Sequence, residues 1–290
     1  MTIKRFRQSI GLASAGALLS IALTAILFAN VSARTQETEV IFLDIGQGDS
    51  VLIKTRYGQN ILIDGGRDNR VLDRLGRNLS FFDRTLDIVI ATHPDSDHIA
   101  GLVPVLERYS VGVLLDPGVV HDSAVFEALQ EVVSRKQIPI RYVESRQTYE
   151  LGAGVVLDVL FPSRSFVGKH IDDNNAASII VKFSDGDIDF ILTGDAPAEV
   201  ENELAARYGA YLDAEVLKAG HHGSNTSSSD IFLDAVTPEV AVIQVGADNP
   251  YNHPNFRVLK RFEARRIPIL RNDELGDIRL VSDGEFVEWR

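Results

Sequence analysis

Polar and apolar positions divide this chain at about residue 39. Ahead of that point lies one long apolar run over residues 10–29, preceded by Lys4, Arg5 and Arg7 and followed by Val31-Ser32-Ala33. Beyond it, short apolar stretches alternate with turns rich in Gly, Asp and Asn. The pattern predicts strands over 40–44, 50–54 and 60–64, joined as a meander by Gly46-Gln47-Gly48-Asp49 and Tyr57-Gly58-Gln59-Asn60. Strands and helices then alternate. A strand is expected over 86–91, a helix over 99–109, a strand over 112–115, and a helix over 123–134 with Ser123 as its N-cap.

Strands follow over 140–143, 155–161, 177–183 and 187–193, then a helix over 197–207 with Pro197 at its first position. The remainder reads as strands over 215–219, 240–245, 268–270, 277–281 and 285–289, with helices over 228–235 and 255–265. Strands outnumber helices and occur in both meanders and crossovers, which predicts two packed sheets with helices outside. No Pro/Gly/Ser linker follows residue 39, so residues 40–290 are expected to form one domain, with 34–39 a polar linker.

The leader over residues 1–33 reads as a secretory signal cleaved after Ala33, or as an uncleaved membrane anchor. Both readings export the domain, to the periplasm or the exterior, and confine membrane contact to this segment. With no cysteine, disulfides and thiolate metal ligands are excluded. The leader holds three of the 29 Lys and Arg and none of the 41 Asp and Glu, so the rest carries 26 against 41, a net of −15. Such a surface repels nucleic acid over most of its area. Arg70, Arg74 and Arg77 share one helical face, with Arg67 and Arg84 flanking them. They form a solvated face or a basic rim for an anionic substrate.

Chemistry concentrates at strand ends. His93-Pro-Asp95-Ser-Asp97-His98 leaves an apolar strand on a tight turn, and its side chains suit one or two cations. A helix cap would explain one of these carboxylates but not two beside two imidazoles. Asp195 ends another apolar strand, as a cap or as a carboxylate bridging two cations. His221 and His222 lie between glycines after a third strand and suit one ligand and one acid or donor facing substrate. His253 sits in the Asn249-Pro-Tyr251-Asn-His253-Pro254 turn; His121 has no constellation around it.

These stretches resemble the metallo-β-lactamase fold superfamily, and within it the C-terminal hydrolase domain of ComEC-type DNA-uptake proteins. The matching segments are Phe42-Leu-Asp-Ile-Gly-Gln-Gly-Asp-Ser50, Leu62-Ile-Asp-Gly-Gly66, Thr92-His-Pro-Asp-Ser-Asp-His98, Asn174-Asn-Ala-Ala-Ser178, Leu192-Thr-Gly-Asp195, Lys218-Ala-Gly-His-His-Gly-Ser224 and Tyr251-Asn-His-Pro254. The resemblance implies an α/β, four-layer αββα sandwich of two mixed sheets flanked by helices. It implies one metal on His93, Asp95 and Asp195, and a second on Asp97, His98, Asp195 and one of His221 and His222. Asp64 would brace the metal loop, Asp49 and Gln47 would shape the neighbouring turn, and His253 would face the substrate.

Asp95 stands where the wider superfamily has a histidine. Its third ligand histidine falls here at Asn175, or at His170 if the turn is arranged differently. Trading nitrogen for oxygen favours harder ions, so Mn²⁺ enters beside Zn²⁺. The expected activity is hydrolysis by a metal-activated water, on a nucleic-acid phosphodiester or an anionic small molecule, with Asp97 orienting the water and His221, His222 or His253 serving the leaving group. Hydrolysis of another ester, a cell-envelope phosphoester or a lactam, and non-catalytic metal binding, are the alternatives. The single apolar segment excludes a multi-span DNA channel.

Overall fold

Val40 and Phe42 point to one face of their strand and Ile41 and Leu43 to the other, and all four are buried. A strand covered on both faces belongs to a sheet sandwiched between other layers. The computed structural model describes residues Glu37–Arg290 and repeats this pattern in two mixed sheets. In the first, β1 (Thr38–Phe42), β2 (Val51–Lys54), β3 (Asn60–Ile63), β4 (Thr85–Ile90), β5 (Ser110–Asp116) and β6 (Ile140–Tyr142) lie side by side. β14 (Ile278–Ser282) and β15 (Val287–Trp289) extend it beyond β1.

The second sheet runs from β7 (Gln147–Gly152) through β8 (Val155–Phe161), β9 (Ile180–Asp185), β10 (Ile188–Leu192), β11 (Val216–Lys218) and β12 (Val240–Ile243) to β13 (Ile269–Arg271). Val40, Phe42, Ile53, Ile61 and Ile90 from the first sheet meet Leu157, Phe183, Phe190, Val216 and Val242 from the second. That shared apolar layer holds the sheets face to face.

Four helices cover the outer face of the first sheet: α1 (Arg70–Asn78), α2 (Ser96–Ile99), α3 (Leu102–Arg108) and α4 (Ala124–Lys136). Their apolar stripes, including Leu75, Val105, Leu129 and Val132, pack on Ile41, Leu52, Leu62 and Val89. On the second sheet α5 (Ala198–Tyr208), α6 (Asp230–Val236) and α7 (Phe256–Ala264) place Val200, Leu204, Phe232, Leu233, Val258 and Phe262 over Ile191, Leu217 and Ala241. The layers are therefore αββα. Strands β3 to β6 are parallel, as are β10 to β13. Their C-terminal ends supply the loops in which parallel sheets usually carry ligands.

Several expectations shift. β1 begins at Thr38, so Glu37 to Glu39 belong to the domain rather than to a linker. The proposed leader and residues 34–36 lie outside the described residues. Among those described, no helix is long and apolar enough to cross a membrane. β7 was not expected: Tyr149 and Leu151 are its only large apolar residues, and they pack inward on the edge of the inter-sheet core. The short α8 (Asn272–Leu275) was not expected either. Ser123 caps α4 as foreseen, its Oγ accepting from Phe126 N at 3.2 Å.

The helix foreseen over 99–109 starts earlier and breaks in two at Gly101. Gly101 N donates to Gly66 O at 2.9 Å, and a Cβ on Gly101 would sit 1.9 Å from Gly65 O. Only glycine lets this helix start lie against the loop after β3, which carries the buried Asp64. Gly101→Ala is expected to lower the unfolding free energy by about 1–3 kcal/mol through overpacking, measured in urea melts.

Candidate metal centre

The site is built outward from Asp64, at the end of β3. Its backbone is left-handed, with φ 58°, and its N–H donates to Ile90 O at 2.8 Å. The buried carboxylate accepts from Thr92 N at 2.8 Å and Thr92 Oγ1 at 2.7 Å, and lies 2.8 Å from His98 Nδ1. With Asp64 as acceptor, His98 carries its proton on Nδ1 and turns Nε2 inward. Because Thr92 Oγ1 gives its proton to Asp64, it accepts from His93 Nδ1, 3.0 Å away. One carboxylate thus orients both imidazoles of the loop.

The second sheet supplies the facing groups. Asp195 follows Gly194 after β10, and its N–H donates to Ser178 Oγ at 3.3 Å. Its Oδ2 lies 3.2 Å from His98 Nε2, 3.3 Å from His222 Nε2 and 3.8 Å from His221 Nε2. His221 and His222 occupy a tight turn after β11 with φ 52° and 53°, which splays their rings apart. His222 Nδ1 donates to Gln244 O, 3.0 Å away. Gln244 Nε2 in turn donates to Leu43 O at 3.1 Å and Ser50 O at 2.9 Å. This residue clamps the end of β12 to the first sheet directly beneath the site.

Asp97 Oδ2 lies 3.3 Å from His222 Nε2, and Asp95 Oδ2 lies 3.7 Å from His93 Nε2. Asp95 does not cap α2 with its side chain, and its Oδ1 accepts from Asn174 Nδ2 at 2.6 Å. Gly48, with φ 120°, lies against this loop so closely that a Cβ would stand 2.1 Å from Asp97 O. Asp49 is buried between Lys218, with which it forms an ion pair, and His222 Nδ1 at 3.2 Å. Lys218 Nζ also donates to Gly194 O at 3.1 Å and Ala219 O at 3.3 Å.

His93 Nε2, His98 Nε2, His222 Nε2 and Asp195 Oδ1 are buried without a hydrogen-bond partner. Orphaned buried polar atoms are costly and rare, and four in one cluster fit a cation. Ligand atoms of His93, His98 and Asp195 lie within 4.8 Å of one another, as do those of Asp97, His98 and His222. Burial opposes charge on His98 and His222. Asp195, with Asp64 beside His98 and Asp49 beside His222, outweighs it and holds both imidazoles well above their usual range. Burial likewise opposes charge on Asp195, yet His222 and His98 hold it well below the carboxylate range. The cluster attracts positive charge strongly.

At the rim, His221 is partly exposed, with Nδ1 3.0 Å from Thr226 Oγ1. His253 N donates to Asn249 Oδ1 at 2.9 Å, its ring lies 5.9 Å from that of His221, and its Nδ1 is buried and unpartnered. His170 is not brought to the cluster: it is exposed, and its Nδ1 lies 4.0 Å from Asp122. At the neighbouring turn Asn174, rather than Asn175, bonds the metal loop. Asn175 holds its backbone N–H on Asp173 and leaves Oδ1 buried and unpartnered. His121 accepts from Ser123 N before α4, away from the site.

The arginine row is mostly structural. Arg74 holds Asp44 and Asp277, Arg77 pairs with Asp73, and Arg84 bonds Tyr109. Sequence reasoning assigned no role to Lys218, Gln244, Thr92 or Asn174. Lys218, Thr92 and Asn174 lie within the matching motif segments, and Lys218 also stands out as a cation closing an apolar strand.

Beyond His222 the chain is pinned by Glu201 of α5, which accepts from Ser228 N at 2.7 Å and Ser229 N at 2.8 Å. Arg261 of α7 donates to Ser227 O and Ser228 O. Burial pushes the Glu201 carboxyl up to about 7 against these hydrogen bonds.

A His and Asp cluster at the strand ends of an αββα sandwich defines the class as a metallo-hydrolase. The chain belongs to the Metallo-beta-lactamase superfamily, whose family model matches residues 43–246. It is 33% identical over 244 residues to Competence protein ComA of Neisseria gonorrhoeae, covering 84% of this chain and 32% of that protein. It is 29% identical over 262 residues to ComE operon protein 3 of Bacillus subtilis, covering 84% of this chain and 33% of that one. The chain therefore spans about a third of the length of these relatives. Among solved structures, the metallo-beta-lactamase fold protein YhfI from Bacillus subtilis shares the fold, with TM-score 0.54, 13% identity, and coverage of 88% of this chain and 100% of that one.

Two outcomes follow from this construction. Chelation should lower the melting temperature, and adding back a divalent ion should restore it, because an ion held only by the folded site stabilises that state. Glu201 binds its proton more tightly when folded than at its ordinary 4.5, so its contribution is fully present below that pH and is lost as pH rises through about 7. Over that window, wild type should lose on the order of 3 kcal/mol of unfolding free energy relative to Glu201→Gln in denaturant titrations.

Proposed function

We propose that this protein is an exported or membrane-anchored phosphodiesterase, acting on a nucleic acid or another phosphodiester with Zn²⁺ or Mn²⁺. The reading is carried by the donor set: three carboxylates, Asp95, Asp97 and Asp195, share the centre with His93, His98 and His222. Oxygen donors in that proportion suit a harder ion than an imidazole-only site does. The similarity to competence proteins supports a nucleic-acid substrate.

Divalent ions supply Lewis acidity in such a site, lowering the pKa of water to about 7 and offsetting charge on the ester oxygens. His93, Asp95 and Asp195 would hold one ion, and Asp97, His98, Asp195 and His222 the other. Asp97 keeps part of its carboxylate exposed, so it can accept a hydrogen bond from the attacking water and orient that water's lone pair toward phosphorus. His221, fixed through Nδ1 by Thr226, presents Nε2 toward the cluster and is placed to protonate the departing oxygen. His253 is the second donor at that rim. Gln244 and Asp64 keep both walls in register while charge moves.

The acidity of the chain, a net of −12, favours a second reading, hydrolysis of a small cell-envelope phosphoester. Activity of protein loaded with Mn²⁺ or Zn²⁺ on DNA and on bis(p-nitrophenyl) phosphate separates the two. Asp97→Ala should reduce turnover by roughly a hundredfold or more while circular dichroism stays unchanged. Undiminished turnover in that variant, or inactivity of wild type on both substrates with both ions, would refute the phosphodiesterase reading.

A further inference from the structure

The turn between β12 and α7 has two working sides. On one, Tyr251 is 62% exposed and lies flat on His253, with centroids 5.8 Å apart and planes 22° apart. His253 in turn borders His221. An aromatic face is thus held open to solvent at the mouth of the candidate metal centre, and it rests on an imidazole at the rim of that centre. Asn249 fixes the arrangement, with Oδ1 accepting from His253 N and Nδ2 donating to His253 O at 2.8 Å.

On the other side lies a cleft of about 420 Å³ whose walls include Gln47, Arg67, Arg70, Gly246 and Asn249. Gln47 Nε2 is buried without a partner, while its Oε1 accepts from Gly246 N at 3.4 Å. Arg70 donates to Ile45 O at 3.2 Å and meets Asp68 at 3.2 Å through Nε. A Cβ on Gly46 would stand 2.2 Å from Arg70 Nη1, so glycine is what admits the guanidinium here. Arg67 forms no ion pair among the described residues. Of the acids in the wall, Asp44 is taken by Arg74 and Asp273 by Arg271, which leaves Asp248. The cleft keeps uncommitted donors on a protein that is otherwise acidic.

We infer that this turn is a subsite for a single-stranded polynucleotide: a base beside the scissile phosphate stacks on Tyr251, and a phosphate of the same strand enters the cleft with Arg67, Arg70 and the Gln47 amide. The inference rests on the phosphodiesterase reading and narrows its substrate. A single strand is specified because a base in a duplex is already stacked and cannot offer its face to Tyr251. Stacking tolerates any base, and the arginines meet only the backbone, so recognition carries no sequence preference.

Binding of a labelled phosphorothioate oligonucleotide to the metal-loaded protein, read by fluorescence anisotropy, tests the subsite without relying on turnover. Tyr251→Ala and Arg67→Gln should each weaken binding by about tenfold, and Tyr251→Phe should retain it. Arg67→Gln should also reduce the slope of log affinity against log salt by about one. A strand made abasic should lose its sensitivity to Tyr251→Ala. In kinetics, Tyr251→Ala and Arg67→Gln should each shift the ratio of kcat/KM for the oligonucleotide over bis(p-nitrophenyl) phosphate by about tenfold against the oligonucleotide. Equal binding by wild type and both variants, tighter binding of duplex than of single strand, or a parallel loss on both substrates would overturn the subsite. Inactivity of wild type on every phosphodiester would instead refute the catalytic reading, and anisotropy would still decide whether the strand binds.

Discussion

The buried carboxylate of Asp64 is the constraint on which the metal loop depends. It sits in a left-handed backbone conformation that few residues other than glycine adopt without cost, and it meets a backbone N–H, a hydroxyl and an imidazole together. The partners lie in the loop after β4 and in α2, which that loop opens. The loop's path, the tautomer of His98 and, through Thr92, that of His93 are settled at one point. Deleting such an acceptor would leave several donors buried and unpaired, so the loop and the end of β3 are energetically a single unit.

Two sheets must stay in register for the cluster to exist, because each carries only part of it. His93, Asp95, Asp97 and His98 come from the first, and Asp195 and His222 from the second. The inter-sheet apolar layer sets their spacing to the tolerance of packed side chains. Gln244 and the Lys218–Asp49 pair then fix the floor of the site with directional contacts, since Gln244 reaches two carbonyls across the gap. Apolar packing is non-directional and cannot by itself hold an imidazole within a few tenths of an ångström; the polar clamp supplies that precision.

Much of this was legible in the chain. Two-faced apolar stretches bounded by Gly and Asp gave nearly every strand, and histidines at strand ends gave most of the cluster, because a parallel sheet concentrates loops at one edge. What escaped has physical reasons. β7 is an edge strand with only two large apolar residues, too few for a period to show. The break at Gly101 reflects a backbone contact with Gly65, distant in sequence and invisible to helical periodicity. The arginine row shares a helical face as expected, but its carboxylate partners, such as Asp44 and Asp277, come from elsewhere in the chain. His170 was named by analogy of motif, and a turn of that composition does not specify which side chain turns inward.

Lys218 gives the buried pair a further meaning. Asp49, Asp64, Asp95, Asp97 and Asp195 place five negative charges around the centre, and the ammonium of Lys218, buried against Asp49, cancels one of them. Four remain when the imidazoles are neutral, which is the charge that two divalent ions carry. One such ion would balance half of that charge, and against burial Asp195 already holds His98 and His222 well above the usual imidazole range. The lysine therefore answers one carboxylate from within the fold, and the others remain to draw positive charge from the surroundings.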